Sequence, residues 1–175
     1  MVWNAIDRRN EDVFAQAGPD LSADTADAIR AVIGRYPNKR AALLPALHLA
    51  QAQVGYLPLK VLAQVASLLD LPAQDVYDTA SFYEMFWLRP RGRNLVQVCE
   101  GFACELCGQA GLLEAIKRKL NIEVGQTTPD GRFTLVAVPC LAACDKAPAV
   151  QINDELFGPV SEAELDGILG MGARS

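Results

Sequence analysis

The sequence lacks the features that would suit it to nucleic acid or to secretion. It carries 16 lysine and arginine residues against 21 aspartate and glutamate residues, which gives a net charge of -5. Since phosphate-binding surfaces need clustered basic side chains, we expect no nucleic-acid partner. Residues 1–30 lack the basic, apolar and small-residue succession of a secretory signal, so we expect the chain to stay inside the cell.

Histidine is scarce, cysteine is odd in number, and long apolar runs are missing. His48 is the only histidine, which excludes a Rieske centre because that site needs two. The apolar stretches are broken by residues such as Pro45 and Pro58, so none is long enough to span a membrane. Five cysteines in a chain that stays inside the cell argue against a disulfide framework and favour metal or redox chemistry.

The first half of the chain has helical periodicity. Residues 24–87 hold four amphipathic segments with no strand alternation, and they predict an α-helical domain that follows an N-terminal extension, residues 1–23. The fourth predicted helix, residues 72–87, includes the stretch SFYEMFW. Its aromatic side chains at helical spacing favour a place in the core over contact with a partner.

The second half has a mixed pattern. LRPRGR, residues 88–93, has the composition of a connection between domains. After it we predict a β-α-β-β-α order, whose last helix opens with a capping box, and residues 94–175 therefore suit a thioredoxin-like domain. The fold class is α+β, a helical bundle followed by this domain. The predicted elements are strands at 94–99, 131–140 and 149–154 and helices at 105–120 and 161–169.

Four of the five cysteines lie in two loops that follow predicted strands. Cys99 closes the first strand and Cys104 ends the short loop after it, while Cys140 closes a later strand and Cys144 follows in the next loop. Strands of one sheet can bring such loops side by side, so the pattern predicts a clamp of four thiolates. It fits a [2Fe-2S] cluster in which each pair of cysteines holds one iron.

Small residues support the cluster interpretation, because thiolates and sulfides need backbone amides pointed at their sulfur atoms. Side chains that leave the backbone uncovered stand next to the cysteines, and these are Gly101, Ala103, Ala142 and Ala143. A helix beginning near Cys104 would add partial positive charge.

Two other uses of the thiols stay open. A zinc ribbon would use Cys104, Cys107, Cys140 and Cys144 and leave Cys99 idle. A redox dithiol would use only Cys104 and Cys107, at the start of a helix. In the cluster hypothesis Cys107 is the spare thiol, and we expect it to be a small apolar side chain on the inner face of the helix.

The combination of these motifs resembles the thioredoxin-like [2Fe-2S] E-type subunit of NADH:quinone oxidoreductase, respiratory complex I. This family also occurs in NAD-linked hydrogenases and formate dehydrogenases. The resemblance covers the chain from about residue 25 and is carried by AALLPALHLAQAQVGYLP, TASFYEMFWLRPRGR, VQVCEGFAC and TPDGRFTLVAVPCLAACDKAPAVQIND. It implies that Cys99, Cys104, Cys140 and Cys144 hold one cluster per chain. Glu100 departs from the small polar residue that the family often has there, and its charge would lower the cluster potential from close range.

The resemblance also implies a function. The chain would be an electron-transfer component of the peripheral arm, with a low-potential cluster that exchanges single electrons with FMN on a flavoprotein partner, the F-type subunit of such complexes. NADH would be oxidised on that partner, since this chain has no G-x-G-x-x-G motif and we expect no independent catalytic activity from it. Further peripheral-arm subunits are implied as partners.

The same resemblance places the chain on the cytoplasmic side of the membrane, attached through the complex and without direct insertion. A hydrogenase or formate dehydrogenase assembly is an alternative parent complex. A structural zinc protein, a thiol-redox protein and a free ferredoxin shuttle stay open as alternative functions, although a shuttle would need only the second half of the chain.

Overall fold

The computed structural model describes residues 18–172, which form two compact units that divide between Pro90 and Arg91. The division falls inside segment 88–93, and the predicted domain limits at residues 24 and 94 stay predictions. Most of the predicted N-terminal extension lies outside the described residues. Within the described part of the chain, no helix is long and apolar enough to cross a membrane.

The described part of the first unit is built from helices, as its periodicity predicts. Ser22 begins the first helix by accepting a hydrogen bond from the Thr25 amide at 3.1 Å. Gly55 and Asp70 end two later helices with positive φ angles of 87° and 54°. The helices are α1 (Ala23–Ile33), α2 (Leu43–Val54), α3 (Leu59–Leu69) and α4 (Ala73–Phe82), with a 3₁₀ helix at Lys39–Ala42.

The core of the first unit is aliphatic. Every helix of the unit contributes to it, and its largest fully buried side chains include Ile29, Leu47, Leu57, Leu69 and Val76. Burying one leucine or isoleucine of this kind stabilises the fold by about 1.5–3 kcal/mol. The helical unit therefore has an apolar core of its own.

Helix α4 is shorter than its periodicity predicts. It ends at Phe82, whereas the sequence predicts continuation through Trp87. Gln51 holds the chain beyond the helix, because its amide group donates to the Met85 carbonyl at 2.8 Å and accepts from the Trp87 amide at 2.7 Å. Phe86 turns into the core from this extended segment. Long-range packing and the Gln51 bonds thus outweigh the local helical pattern.

The side chains of the stretch SFYEMFW differ in their exposure to solvent. Phe86 is 2% exposed and confirms the expectation of a core position, but Phe82 is 77% exposed and Met85 is 49% exposed. His48 is itself exposed, and its ring centroid lies 4.9 Å from that of Phe86. The histidine is therefore a packing neighbour of the aromatic segment.

The second unit is a four-stranded mixed sheet with helices, and this confirms the α+β class. The strand order is β2-β1-β3-β4, with β1 parallel to β2 and the other two pairs antiparallel. The elements are β1 (Asn94–Cys99), α5 (Phe102–Leu106), α6 (Gln109–Leu120), β2 (Phe133–Val138), β3 (Val150–Ile152), β4 (Glu155–Phe157) and α7 (Leu165–Gly172).

Two features of this unit differ from the predicted order. The single helix predicted for residues 105–120 is wrong, because Gly108 adopts φ 90° and separates α5 from α6. Strand β4 is additional and pairs with β3. The two-residue turn between these strands begins at Asn153, which adopts φ 52°.

The sheet and its helices enclose a second apolar core. Helices α6 and α7 supply Ile116 and Leu165, which are almost fully buried against Val96, Val98 and Leu135 of the two parallel strands. This core fixes the register of β1 on β2. The ends of these two strands are consequently held in place.

The capping box predicted before the last helix is confirmed and gives a first testable expectation. The amide and the hydroxyl of Ser161 both donate to Glu164 Oε2, at 2.9 and 2.7 Å. The hydroxyl bond is the main cause that lowers the pKa of Glu164, and the amide bond adds to it. Folding therefore gains stability from the carboxylate above the unfolded-state pKa of Glu164, and loses it as pH falls through the folded-state pKa.

We expect Ser161→Ala to lower the melting temperature by a few degrees at pH 7, because the first turn loses the hydroxyl bond to Glu164 and keeps only the backbone amide bond. The difference in melting temperature between the variant and the wild type should shrink when the pH falls below the ordinary pKa of glutamate. Thermal unfolding followed by circular dichroism over a range of acidic pH values measures this. A deficit that is independent of pH would contradict the assigned role of Glu164.

Candidate metal centre

Parallel pairing of β1 and β2 brings the two cysteine loops to one edge of the sheet. Cys99 is the last residue of β1 and lies opposite Val138, the last residue of β2. The Glu100 amide donates to the Val138 carbonyl at 2.8 Å, so the pairing continues past the strand end. Because parallel strands run in the same direction, the loop that holds Cys104 and the loop that holds Cys140 leave the sheet together.

The first cysteine pair is buried. Cys99 is 3% exposed and Cys104 is 2% exposed, and both pack with Ala143 and Ala149 in a small apolar cluster. Cys104 is the middle residue of the short helix α5 and faces inward. The Cys99 amide donates to the Ala149 carbonyl at 3.2 Å and ties the pair to the segment before β3.

The second cysteine pair is exposed, and its loop contains a residue with unusual backbone geometry. Cys140 and Cys144 are both accessible to solvent, and Cys144 begins a short 3₁₀ helix. Between them Ala142 adopts φ 54°, a conformation that costs a non-glycine residue about 1–2 kcal/mol. This conformation lets the Ala142 amide donate to Cys140 Sγ at 3.2 Å. The cost is thus offset by a contact that would stabilise a thiolate.

Gly101 provides a matching contact in the first loop. Its amide donates to Cys99 Sγ at 3.4 Å. A Cβ atom at this position would lie 3.3 Å from the Pro139 carbonyl oxygen and 3.4 Å from Cys99 Sγ, so a side chain would crowd both loops. The sequence correctly marks Gly101 and Ala142 as amides that approach sulfur.

The thiols of the first pair influence one another's ionisation. Burial opposes ionisation of Cys99, but hydrogen bonds from the Gly101 and Leu141 amides and from the Cys104 and Cys140 thiols together lower its pKa. Burial is the main cause that raises the pKa of Cys104, and the neighbouring Cys99 raises it further. Cys99 is therefore the first thiol of the pair to become a thiolate.

Cys99 is the thiol that links the two cysteine pairs. Cys99 interacts with Cys104 and Cys140, and Cys104 with Cys99 and Cys144. Cys107 is exposed, so its predicted place on the inner face of the helix is wrong. The reason is that α5 ends at Leu106 and the chain turns away, with the Cys107 amide bonded to the carbonyls at the end of that helix.

The geometry disfavours a redox dithiol, which is one of the two alternative uses of the thiols. In a dithiol at Cys104 and Cys107, the first thiol would be buried with a raised pKa, which is unlike a reactive cysteine.

Two features of the site escape the sequence-based reasoning. The positive φ of Ala142 has no signal in the sequence, since alanine rarely adopts it. The exposure of Cys107 has a signal in Gly108, because a glycine at that position ends a short helix. Neither feature changes the set of four thiols that meet at the sheet edge.

Comparison with known proteins gives a consistent result. Residues 29–172 match the family described as thioredoxin-like [2Fe-2S] ferredoxin. The chain is 43% identical over 143 residues to the second E-type subunit of the NADH-quinone oxidoreductase of Rhizobium meliloti (strain 1021), a match that covers 82% of this chain and 85% of that protein. It is 39% identical over 150 residues to the E-type subunit of the NADH-quinone oxidoreductase of Escherichia coli (strain K12), covering 86% and 90%.

A solved structure is similar as well. The NAD⁺-reducing [NiFe]-hydrogenase in its air-oxidized state matches with a TM-score of 0.65 and 29% sequence identity. The match covers 74% of this chain and 22% of the hydrogenase chain, so this chain corresponds to a small part of that protein.

Proposed function

Because the chain belongs to the thioredoxin-like [2Fe-2S] ferredoxin family, we propose that its second unit holds one [2Fe-2S] cluster through Cys99, Cys104, Cys140 and Cys144. The observation that carries this proposal is the meeting of two thiol pairs at one sheet edge, formed by the parallel strands β1 and β2. When bound, such a cluster takes up and releases one electron at a time.

The residues around the thiols fit such a group. Amides of Gly101 and Ala142 already point at the sulfur atoms of Cys99 and Cys140, and the absence of a side chain at Gly101 keeps the loops close. Hydrogen bonds of this kind stabilise negative charge on sulfur and raise the reduction potential. They would partly offset the negative charge of Glu100, which is exposed next to Cys99.

The two pairs would give the cluster an asymmetric environment. The Cys99 and Cys104 thiolates would lie in the apolar cluster, where burial disfavours added negative charge. The Cys140 and Cys144 thiolates would lie at the surface, where water can solvate that charge. The exposed pair is therefore the side from which solvent and partner can influence the potential.

At the level of the assembly, we propose that the chain transfers electrons within an NADH-oxidising complex. The cluster would exchange single electrons with FMN on a flavoprotein partner, the F-type subunit of the complex, and NADH would bind to that partner. Two relatives named as E-type subunits of NADH-quinone oxidoreductase support membership of such a complex. A place in its peripheral arm, on the cytoplasmic side of the membrane, is part of the proposal. The hydrogenase match supports an NAD-linked hydrogenase as the alternative parent complex.

Co-expression with the flavoprotein partner from the same organism tests the proposal. We expect the two chains to purify together, with one FMN per pair and about two irons contributed by this chain. NADH should produce the EPR signal of the reduced cluster in this complex but not in the isolated chain, because we expect no nucleotide site on the isolated chain. Dithionite should bleach both and serves as the control for an intact cluster.

Two results would contradict the proposed function. One is a colourless isolated protein that contains stoichiometric zinc, which would assign the thiols to a structural site. The other is reduction of the isolated chain by NADH, which would place nucleotide chemistry on this chain.

A further inference from the structure

We infer that the outer face of helix α5 is the surface on which the flavoprotein partner docks. This inference rests on the proposed function. The surface consists of Phe102 and Leu106, which we call the α5 ridge. The partner that fits it has an apolar hollow with a basic rim.

The ridge is formed by two large apolar side chains that the fold leaves in solvent. Phe102 is 77% exposed and Leu106 is 73% exposed. They stand four residues apart on the same helix, which places them side by side on one face. Cys104 lies midway between them in sequence and is only 2% exposed, so it occupies the opposite face. The helix is thus apolar on its inner face and also on its outer face.

An open groove continues from the ridge. It has a volume of about 490 Å³ and begins at Cys107, directly after Leu106, and it runs along Gly108 and Gly111 to Pro148 and Pro159. A Cβ atom at either glycine would meet nothing within 4 Å, so the groove floor is accessible to a side chain from outside. A ridge beside a groove can interlock with a partner surface of the reverse shape.

The charge around the ridge defines the partner further. Glu100 and Glu105 are exposed beside it, and residues 94–116 contain no lysine or arginine. On the second cysteine loop, Asp145 and Lys146 offset each other. An apolar contact with an acidic border selects a partner with a basic border. A second copy of this chain would bring glutamates against glutamates, and its net charge of -5 adds repulsion.

The position of the ridge suits electron exchange. The ridge and the Cys104 thiol are on opposite faces of one helix, and a helix with its side chains is about 10–12 Å across. A cofactor held near the hollow of the partner would therefore approach the cluster across a single helix. Apolar contact there would also keep water out of the gap between the two centres.

Binding measurements with the cluster-loaded full chain and the purified FMN-containing flavoprotein partner test this inference. We expect Phe102→Ser and Leu106→Ser each to weaken binding about tenfold, and the double variant about a hundredfold, because each change removes a large apolar contact. Val124→Ser is the matched control. Val124 is the other large apolar residue exposed in the described part of the second unit, at 42%, and it follows the far end of α6, about 18 Å along that helix.

Iron content, visible spectrum and circular dichroism should be unchanged in all three ridge variants, since the altered side chains lie in solvent. Glu105→Gln should reduce the salt dependence of binding, because it removes a charge that would face the basic rim. The Glu123→Gln variant, next to the control position Val124, should leave the salt dependence of binding unchanged, although it removes the ion pair of Glu123 with Lys117.

The outcomes separate this inference from the proposed function. If the double variant binds the flavoprotein as tightly as the wild type, the ridge is not the docking surface, although the proposed function stands. If the wild type itself does not bind, the proposed function fails and the inference fails with it. A dimer of the isolated chain that the double variant dissolves would assign the ridge to self-association and overturn the inference.

Discussion

Replacing Cys104 with serine should abolish the iron cluster, whereas Cys107→Ser should leave the iron content at about two per chain. Cys104 forms the buried thiol pair with Cys99. A serine oxygen is a harder and weaker donor for iron than a thiolate. Cys107 is exposed at the end of α5 and is not among the thiols that interact at the sheet edge. Iron and sulfide analysis, with the visible and reduced-state EPR spectra, measures the difference.

The same series distinguishes the alternative uses of the thiols. A zinc ribbon at Cys104, Cys107, Cys140 and Cys144 would make Cys107 indispensable and Cys99 dispensable. A dithiol would need Cys107 as well. Cys99→Ser and Cys107→Ser are therefore matched variants, and metal loss in the second with metal retention in the first would refute the proposed ligand set. Cys140→Ser extends the test to the exposed pair, where we expect cluster loss or a changed spectrum.

A second large effect is expected from Gly92→Ala. A Cβ atom at Gly92 would lie 2.6 Å from the carbonyl carbon of Phe133 and 2.9 Å from the backbone nitrogens of Phe133 and Thr134. These are backbone atoms of β2, so the strand itself would have to move. The Gly92 amide also donates to Thr134 Oγ1 at 2.6 Å, and this bond would be disturbed. We expect the free energy of unfolding to fall by about 1–3 kcal/mol.

Gly111→Ala is the matched control for this substitution. Gly111 lies inside α6, and a Cβ atom there would meet nothing within 4 Å. Alanine is favoured over glycine within a helix, so we expect this variant to gain about 0.5–1 kcal/mol. Urea unfolding of the full chain, followed by circular dichroism, measures both. Equal stability of the two variants would contradict the close approach of Gly92 to β2.

Most of the secondary structure could be predicted from local patterns. Ser22, Gly55 and the capping box at Ser161 have strong local preferences, and the structure uses each of them. The end of α4 could not be predicted in this way, because Gln51 and the buried Phe86 determine it from elsewhere in the chain. Periodicity describes what a segment prefers by itself and carries no information on such distant contacts.

The cysteines that form the candidate site could be predicted from the sequence, whereas their burial and the backbone conformation of their loops could not. Cysteines that follow strands predict where the thiols meet, because the direction of parallel strands fixes the edge at which their loops leave the sheet. Which thiol is buried depends on how each loop folds back on the sheet, and Cys140 and Cys144 are exposed although they too follow a strand. Backbone conformation at Ala142 is likewise decided by the loop as a whole.

The parallel pairing of β1 with β2 also determines what holds the two cysteine loops together. Backbone hydrogen bonds and the apolar core already hold Cys99 close to the loop of Cys140. Formation of the sheet therefore compensates for the entropy that is lost when the long chain between them is closed into a loop. A zinc finger, in contrast, needs its metal in order to fold. In this chain the two cysteine loops are brought together by strand pairing and by apolar packing, which are contacts of the protein itself. The distance between the loops is therefore set by the sheet, and a substitution that shifts β1 against β2 should alter the thiol site without touching any of its residues.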